Sequence, residues 1–168
     1  MASEIKVDTI VNAGGDNDTG IDLATNDQIL LKVANATKLT MNSTGQTTIV
    51  GEGGTTTTSV QQGLAKAWVK FQGTSTATIN DSFNITGITD QGTGQFQFEI
   101  TNDMNSVHFS TTSSLGNNDS SNAGINRNEM TGSNNAGTFH FESTSAGGTS
   151  DPNADVAGCS ATVHGDLA

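Results

Sequence analysis

Basic residues and cysteine are scarce in this sequence, and each scarcity bears on a class of protein. Six Lys and Arg stand against seventeen Asp and Glu, which gives a formal net charge of -11. Phosphate-binding surfaces depend on clustered Lys and Arg, so we expect no nucleic-acid partner. Cys159 is the only cysteine, so an intrachain disulfide framework is impossible.

Long apolar runs are missing too. No stretch of about 20 apolar residues could cross a membrane, and no basic-then-apolar leader follows Met1. We therefore expect a soluble protein that does not enter the secretory route. Hydrophobic residues make up 32% and charged residues 14%, both well below usual values, and Thr, Asn, Ser and Gly fill the difference. This composition suits a surface-rich β protein that completes its core by associating with copies of itself.

The stretch 63–104 is the folding centre of the chain, because it holds Trp68 and four of the seven Phe. Apolar residues recur there at every second position, which is typical of strands with one buried face. The three alternating sets are Ala65, Ala67, Val69 and Phe71; Ile79, Asp81, Phe83 and Ile85; and Phe96, Phe98 and Ile100. Further strands are predicted at 106–110, 137–143 and 157–165. The pattern predicts an antiparallel β-sandwich over residues 64–168.

The N-terminal part also reads as short strands. EIKVDTIVN (4–12) alternates, and from Gly20 to residue 50 apolar pairs return every eight to ten residues with polar turns between them. Such strands stack in a solenoid or between the chains of a trimeric shaft; the alternative is an ordinary meander packed on the second domain. We predict a shaft-like attachment segment over 1–50 and a linker over 51–63, where TTTTSV is an alternative edge strand.

Helix and long-loop predictions complete the all-β assignment. No segment sustains a period of 3.6, so almost no helix is expected, with VQQGLAKAW and INRNEM as the weakest exceptions. Residues 111–137 contain few apolar anchors and are predicted as a long polar loop.

No enzyme or metal signature is present. His108, His140 and His164 lie in predicted strands without metal-ligand spacing, and a surface ion pair between His140 and Glu142 is favoured over a ligand pair. Cys159 is interpreted as a small buried hydrophobe. DNDTGID places Asp16, Asp18 and Asp22 as a crude calcium loop, but loop solvation is the better interpretation. Asp81, Asp90 and Glu99 are available as carboxylates, but no spacing supports catalysis. We expect no cofactor and no enzymatic activity.

One strand face stands out as a candidate contact. Lys66, Trp68 and Lys70 lie opposite Ala67, Val69 and Phe71, and Trp is favoured at interfaces. A contact with another subunit is predicted there; the alternative is a Trp lying flat on its own sheet.

Several segments resemble tail-fibre-like proteins of marine bacteriophages. AKAWVKFQG (65–73), DSFN (81–84) and ITDQGTG (88–94) are similar to the C-terminal module of that family, as is the closing SATVHGDLA. The opening EIKVDTIVNA resembles the family's N-terminal starts, and GIDLATNDQILLKVANATKLTMNSTGQ resembles its shaft repeats.

The resemblance implies a homotrimer with a slender N-terminal part, a globular C-terminal knob and no enzymatic activity. Because 168 residues leave no room for a full fibre, we expect a short appendage at the virion surface, seated on capsid or tail proteins. Ile5, Val7 and Ile10, with Lys66, Trp68 and Lys70, are the predicted subunit or virion contacts.

Polar loops on such a scaffold are expected to aid adhesion to a host surface glycan. The candidate host-facing residues are Asn117, Asn118, Asn126, Arg127 and Asn128. The alternative function is a carbohydrate-binding receptor-recognition module of a tail fibre, in which Trp68 stacks on a sugar.

Overall fold

A computed structural model describes residues 6–12, 14, 18–51, 53–116, 124–127, 135–145 and 153–168, with backbone alone for 124–127, 144 and 145. The chain divides into two compact units, Met1–Gly63 and Leu64–Ala168. Both units consist of antiparallel sheets, so the all-β prediction is confirmed. No helix in the described ranges is long or apolar enough to cross a membrane.

The N-terminal unit is a six-stranded meander in which each strand pairs with the next. Its strands are β1 (Thr9–Val11), β2 (Gly20–Asp22), β3 (Ile29–Val33), β4 (Ala36–Met41), β5 (Thr47–Val50) and β6 (Thr57–Ser59), followed by the helical turn α1 (Val60–Gly63). Tight turns set this order. Ala34 and Asn35 both have positive φ, as a two-residue hairpin loop between β3 and β4 requires.

The N-terminal predictions need two corrections. The predicted strand at 4–12 is a strand only over Thr9–Val11 in the described residues. The segment 51–63, predicted as a linker, contains β6, which pairs with β5, and α1. The edge-strand alternative is therefore the observed one, because threonine favours strands and β5 offers a free edge.

The C-terminal unit holds two four-stranded antiparallel sheets. The first sheet has the order β11-β14-β7-β8 and the second β12-β13-β10-β9. The strands are β7 (Ala67–Gln72), β8 (Thr78–Phe83), β9 (Ile85–Gly92), β10 (Gln95–Ile100), β11 (Ser110–Ser114), β12 (Gly124–Arg127), β13 (Thr138–Ser145) and β14 (Cys159–His164).

The core of this unit is aromatic. The Phe71 ring lies within 4.8–5.3 Å of the rings of Phe96, Phe98 and Phe141, all edge-on, and Phe98 stacks on Phe139 at 5.0 Å. Aliphatic side chains from the first sheet, Ala67, Val69, Ala161 and Val163, complete it. The predicted alternation of 65–71 and 96–100 is therefore confirmed as a buried face.

One hairpin depends on a glycine. Thr93 and Gly94 connect β9 to β10, and Gly94 has a φ of +66°. A Cβ at Gly94 would lie 2.5 Å from the carbonyl oxygen of Ser143. Ser143 donates its amide to the Gly94 carbonyl at 2.8 Å, so the hairpin is held against the sandwich interior. Only glycine combines this backbone angle with this close approach.

Two strand predictions in the C-terminal unit were misplaced. Of the strand predicted at 106–110, only Ser110 lies in a strand. It begins β11, whose five residues are all Ser or Thr and pair with β14, so apolar spacing does not mark this strand. The predicted loop 111–137 contains most of β11 and, at Gly124–Arg127, all of β12, so INRNEM begins as a strand. Both strands are polar edge strands, which alternation of apolar residues cannot reveal.

Candidate interaction surfaces

The N-terminal sheet has one apolar face that this unit leaves uncovered. A single cross-strand row contains Ile10, Ile21, Leu31, Leu39, Ile49 and finally Thr58, one residue from each strand. Leu23, Ile29, Val33 and Met41 extend this row along the same face, which we call the apolar face.

Exposure shows how unusual this face is. The side chains of a sheet face that packs against a core have exposed fractions near zero. On this face, Ile10 is 52% exposed, Ile29 43% and Met41 42%. None of the described residues between 6 and 63 is buried. An open depression of about 350 Å³ lies on this face beside Leu23, Ile29 and Met41. The described part of the N-terminal unit therefore has no buried core.

The opposite face of the same sheet is mostly polar. Its matching row is Thr9, Asp22, Leu30, Thr40, Thr48 and Ser59. Lys32 Nζ donates to Asp22 Oδ2 at 2.5 Å. This hydrogen bond, the bond from the Ala24 amide and the Lys32 charge hold the pKa of Asp22 below its usual value. One face of the sheet is thus apolar, and the other is mostly polar but also carries Val11, Leu30 and Val50.

Asp16, Asp18 and Asp22 form a crude calcium loop in the sequence, for which loop solvation is the favoured interpretation. Asp16 lies outside the described residues, and Asp22 is paired with Lys32. Asp18 and Asp22 both border a small depression of about 90 Å³. No group of three His, Cys, Asp or Glu side chains in the described ranges is placed to hold a metal ion.

The first sheet of the sandwich carries an aromatic pair on its outer face. Trp68 lies directly opposite Phe83 on β8 and opposite Thr162 on β14. Phe83 is 54% exposed and Trp68 is partly buried. The next row contains Lys70 opposite Asp81 and Ser160. We call Trp68, Phe83, Thr162, Lys70 and Asp81 the aromatic strip.

The position of Phe83 overturns a prediction. Alternation placed Phe83 and Asp81 on one buried face with Ile79. A register shift between Lys70 and Phe71 sets Ile79 opposite the buried Phe71 but Asp81 opposite Lys70. A shift of one residue exchanges the faces of a strand, so Phe83 and Asp81 point outward.

Asn84 fixes the corner that follows Phe83. Its Nδ2 donates to the carbonyl oxygens of Lys66 at 2.9 Å and Asn102 at 3.2 Å. Its Oδ1 accepts from the Asn102 amide at 2.8 Å and from Asn102 Nδ2 at 2.9 Å. With a φ of +58°, Asn84 turns the chain from β8 in one sheet to β9 in the other.

The remaining predicted contact residues lie in different elements or outside the described residues. Val7 is 42% exposed ahead of β1, and Ile10 belongs to the apolar face. Lys70 is exposed and Trp68 is partly exposed, but Lys66 is only 7% exposed. Only Trp68 and Lys70 of the predicted contact face are therefore accessible. Ile5, Asn117, Asn118 and Asn128 lie outside the described residues, and Asn126 and Arg127 are described as backbone in β12.

The outer face of the second sheet is hydrophilic. His140 lies opposite Gln97 and is 7% exposed, and its burial lowers the pKa of the imidazole. Two residues along β13, Glu142 Oε1 accepts from Asn153 Nδ2 at 2.9 Å and from Gln95 Nε2 at 3.4 Å. His140 and Glu142 share a strand face as predicted.

Two of the carboxylates considered for catalysis lie on different sheets, and the only cysteine is buried. Asp81 points outward from the first sheet, and Glu99 belongs to the outer face of the second, so the sandwich lies between them. Cys159 is fully buried, its Sγ lies 3.4 Å from the Val156 carbonyl oxygen, and burial raises the pKa of its thiol. A buried thiol with a raised pKa is a poor nucleophile.

The chain matches no known protein family, curated protein or solved structure.

Proposed function

We propose that the chain is a non-enzymatic structural protein of a bacteriophage virion. It forms a short fibre- or knob-like appendage on the capsid or tail, with a shaft-like N-terminal sheet and an outward-facing sandwich knob. The sequence resemblance supplies the phage setting. The uncovered apolar face of the N-terminal sheet is the observation that carries the assembly role.

The energetics favour association through the apolar face. Complete burial of a Val, Leu, Ile or Met side chain stabilises by about 1.5–3 kcal/mol. Seven of the nine large residues of this face are 38–52% exposed. Covering them would contribute on the order of 5 kcal/mol per chain. A unit without a core needs such a contribution to remain folded.

Copies of the same chain fit this face well. The row from Ile10 to Ile49 contains only uncharged side chains, so identical faces can meet without placing the chain's negative charges opposite one another. The excess of acidic residues elsewhere would oppose less specific stacking. Three sheets with their apolar faces turned inward, as the resemblance implies, would bury the row around a common axis. Capsid or tail proteins would then contact the assembled sheet.

Solution mass tests the assembly role. Light scattering of the full chain is expected to give three times the 17.2 kDa chain mass at micromolar concentration. A monomer at every accessible concentration would contradict it. The virion role is tested separately, by mass spectrometry and antibody labelling of purified particles, where absence of the protein from the particle would contradict the assignment.

The exposed aromatic pair of the sandwich favours a second candidate function, recognition of carbohydrate. It requires only the sandwich, so it is compatible with the structural role.

A further inference from the structure

The aromatic strip joins an apolar platform to polar groups on neighbouring strands. Trp68 and Phe83 are directly opposite each other, so their rings start from strands about 4.8 Å apart. Lys70 and Asp81 form the next row on the same face, roughly 7 Å along the strands. The strip therefore offers an aromatic surface bordered by a cation, a carboxylate and the Thr162 hydroxyl.

The scaffold holds these groups in place before any ligand arrives. Trp68 lies on β7, which has a hydrogen-bonded neighbour on each side. Phe83 is the last residue of β8, and the next residue, Asn84, is held by four hydrogen bonds to Lys66 and Asn102. Little side-chain and backbone entropy would be lost on binding, which favours affinity from a small contact area.

The size of the strip argues against a protein partner. An aromatic side chain carries about 150–250 Å² of surface. With Phe83 54% exposed and Trp68 partly buried, the two rings expose at most about 200 Å². A specific protein interface buries about 800 Å² on each partner. The strip therefore fits a small ligand or a single unit of a longer one.

Charge narrows the ligand class further. Nucleic-acid bases also stack on aromatic rings, but their phosphates require clustered basic residues, and this chain has a net charge of -11. Lys70 and Asp81 balance each other within the strip. A neutral ligand is therefore favoured, with one apolar face for the rings and several hydroxyl groups for the polar border.

We propose that the aromatic strip binds a neutral saccharide. The C–H face of one sugar ring packs on Trp68 and Phe83, and its hydroxyls reach Lys70, Asp81 and Thr162. Lys70 can only donate and ionised Asp81 can only accept, so the pair suits adjacent hydroxyls, which do both. This inference rests on the proposed function for the outward position of the sandwich, but not on trimer formation.

Trp68 is the only tryptophan, so its fluorescence reports the strip directly. The full chain is screened on an array of neutral hexose oligosaccharides, with sialylated and sulfated glycans for comparison, and the best neutral binder is titrated by Trp68 fluorescence. We expect saturable binding of a neutral glycan with a change in Trp68 emission. Phe83→Ala is expected to weaken binding about tenfold, the size of one aromatic stacking contact.

Val107→Ala is the matched control, because Val107 is 50% exposed in the same unit but outside the strip. It should bind like the unmodified chain. Phe83→Ala should keep the circular dichroism spectrum of the unmodified chain, since Phe83 is outside the core. Asp81→Asn is a second test variant, which makes a smaller change at the polar border of the strip.

Three results would overturn the inference: no neutral glycan bound, binding unaffected by both Phe83→Ala and Asp81→Asn, or a loss of solution mass rather than of glycan binding in Phe83→Ala. The last would identify the strip as a subunit contact. Glycan binding by a chain that remains monomeric would instead leave this inference standing and contradict the assembly role.

Discussion

Asn84 shows how one residue can define the geometry of a surface. Its backbone lies in the left-handed region at a φ of +58°, which Asn tolerates better than most residues because its short polar side chain bonds locally. Its amide side chain connects the backbone at Lys66 to that at Asn102. The corner between the two sheets, and with it the end of β8 that carries Phe83, therefore depends on both the backbone angle and the side chain of Asn84.

These two contributions can be separated by substitution. Asn84→Gly keeps the backbone angle accessible but removes the four hydrogen bonds, so we expect a loss of about 1–3 kcal/mol in the free energy of unfolding. Asn84→Ala adds the cost of a left-handed alanine, about 1–2 kcal/mol more. Urea unfolding followed by Trp68 fluorescence measures both. Equal stability of the two variants would show that the backbone angle carries no strain.

Phe83 marks the limit of what could be predicted at the level of residues. Alternation identified β8 as a strand, because that pattern depends only on the strand's own sequence. The face of each residue also depends on the pairing with β7, where consecutive Lys70 and Phe71 lie opposite Asp81 and Ile79, so Asn80 is an extra residue on β8. The alternation of residues 79–85 continues through Asn80 and does not reveal the bulge there, so the aromatic strip could be assembled only from the structure.

At the scale of elements, the six strands of the N-terminal sheet act as one surface. Each strand alone contributes one residue to the central apolar row, and five of the six residues are Ile or Leu. The recurring apolar pairs between residues 20 and 50 predicted β2 to β5, with a meander as the alternative to a solenoid or trimeric shaft. Their order as a simple meander, and the addition of β6, followed from turn geometry and edge pairing that apolar spacing does not describe.

Two neighbouring residues of β5 provide a matched test of the apolar face. Ile49 is on that face and 38% exposed, whereas Thr48 is on the polar face. Ile49→Asp would place identical charges close together in a self-associated sheet, which costs several kcal/mol. We expect association to weaken at least about a hundredfold, with the mass falling to that of the monomer in light scattering.

Thr48→Asp has the same charge and similar strand propensity, so it should leave the mass unchanged. If both variants remain fully assembled, the subunits do not meet through the apolar face. If both dissociate, the effect comes from net charge or strand destabilisation rather than from this face.

At the scale of the molecule, the two units differ in where their stability comes from. The buried hydrophobic residues all belong to the unit 64–168, at least among the described residues, and they surround Phe71. The N-terminal unit has strands and hydrogen-bonded turns but no buried side chain in its described ranges. The sandwich therefore has a hydrophobic core of its own, whereas in the proposed assembly other chains would cover the apolar face of the N-terminal sheet.

This difference predicts two thermal transitions in the full chain. One, followed by Trp68 fluorescence, reports the sandwich and should not depend on protein concentration. The other, seen in far-ultraviolet circular dichroism, reports the N-terminal sheet. Its midpoint should fall on the order of 10 °C on hundredfold dilution, because its folding is coupled to association.

Phe71→Leu should lower only the midpoint of the sandwich transition, since Phe71 is fully buried in the sandwich. Ile49→Asp should lower only the midpoint of the N-terminal transition. A single transition with the same midpoint at all concentrations and by both probes would mean that the N-terminal sheet is stabilised within one chain, and the apolar face would then need an occupant other than a second copy.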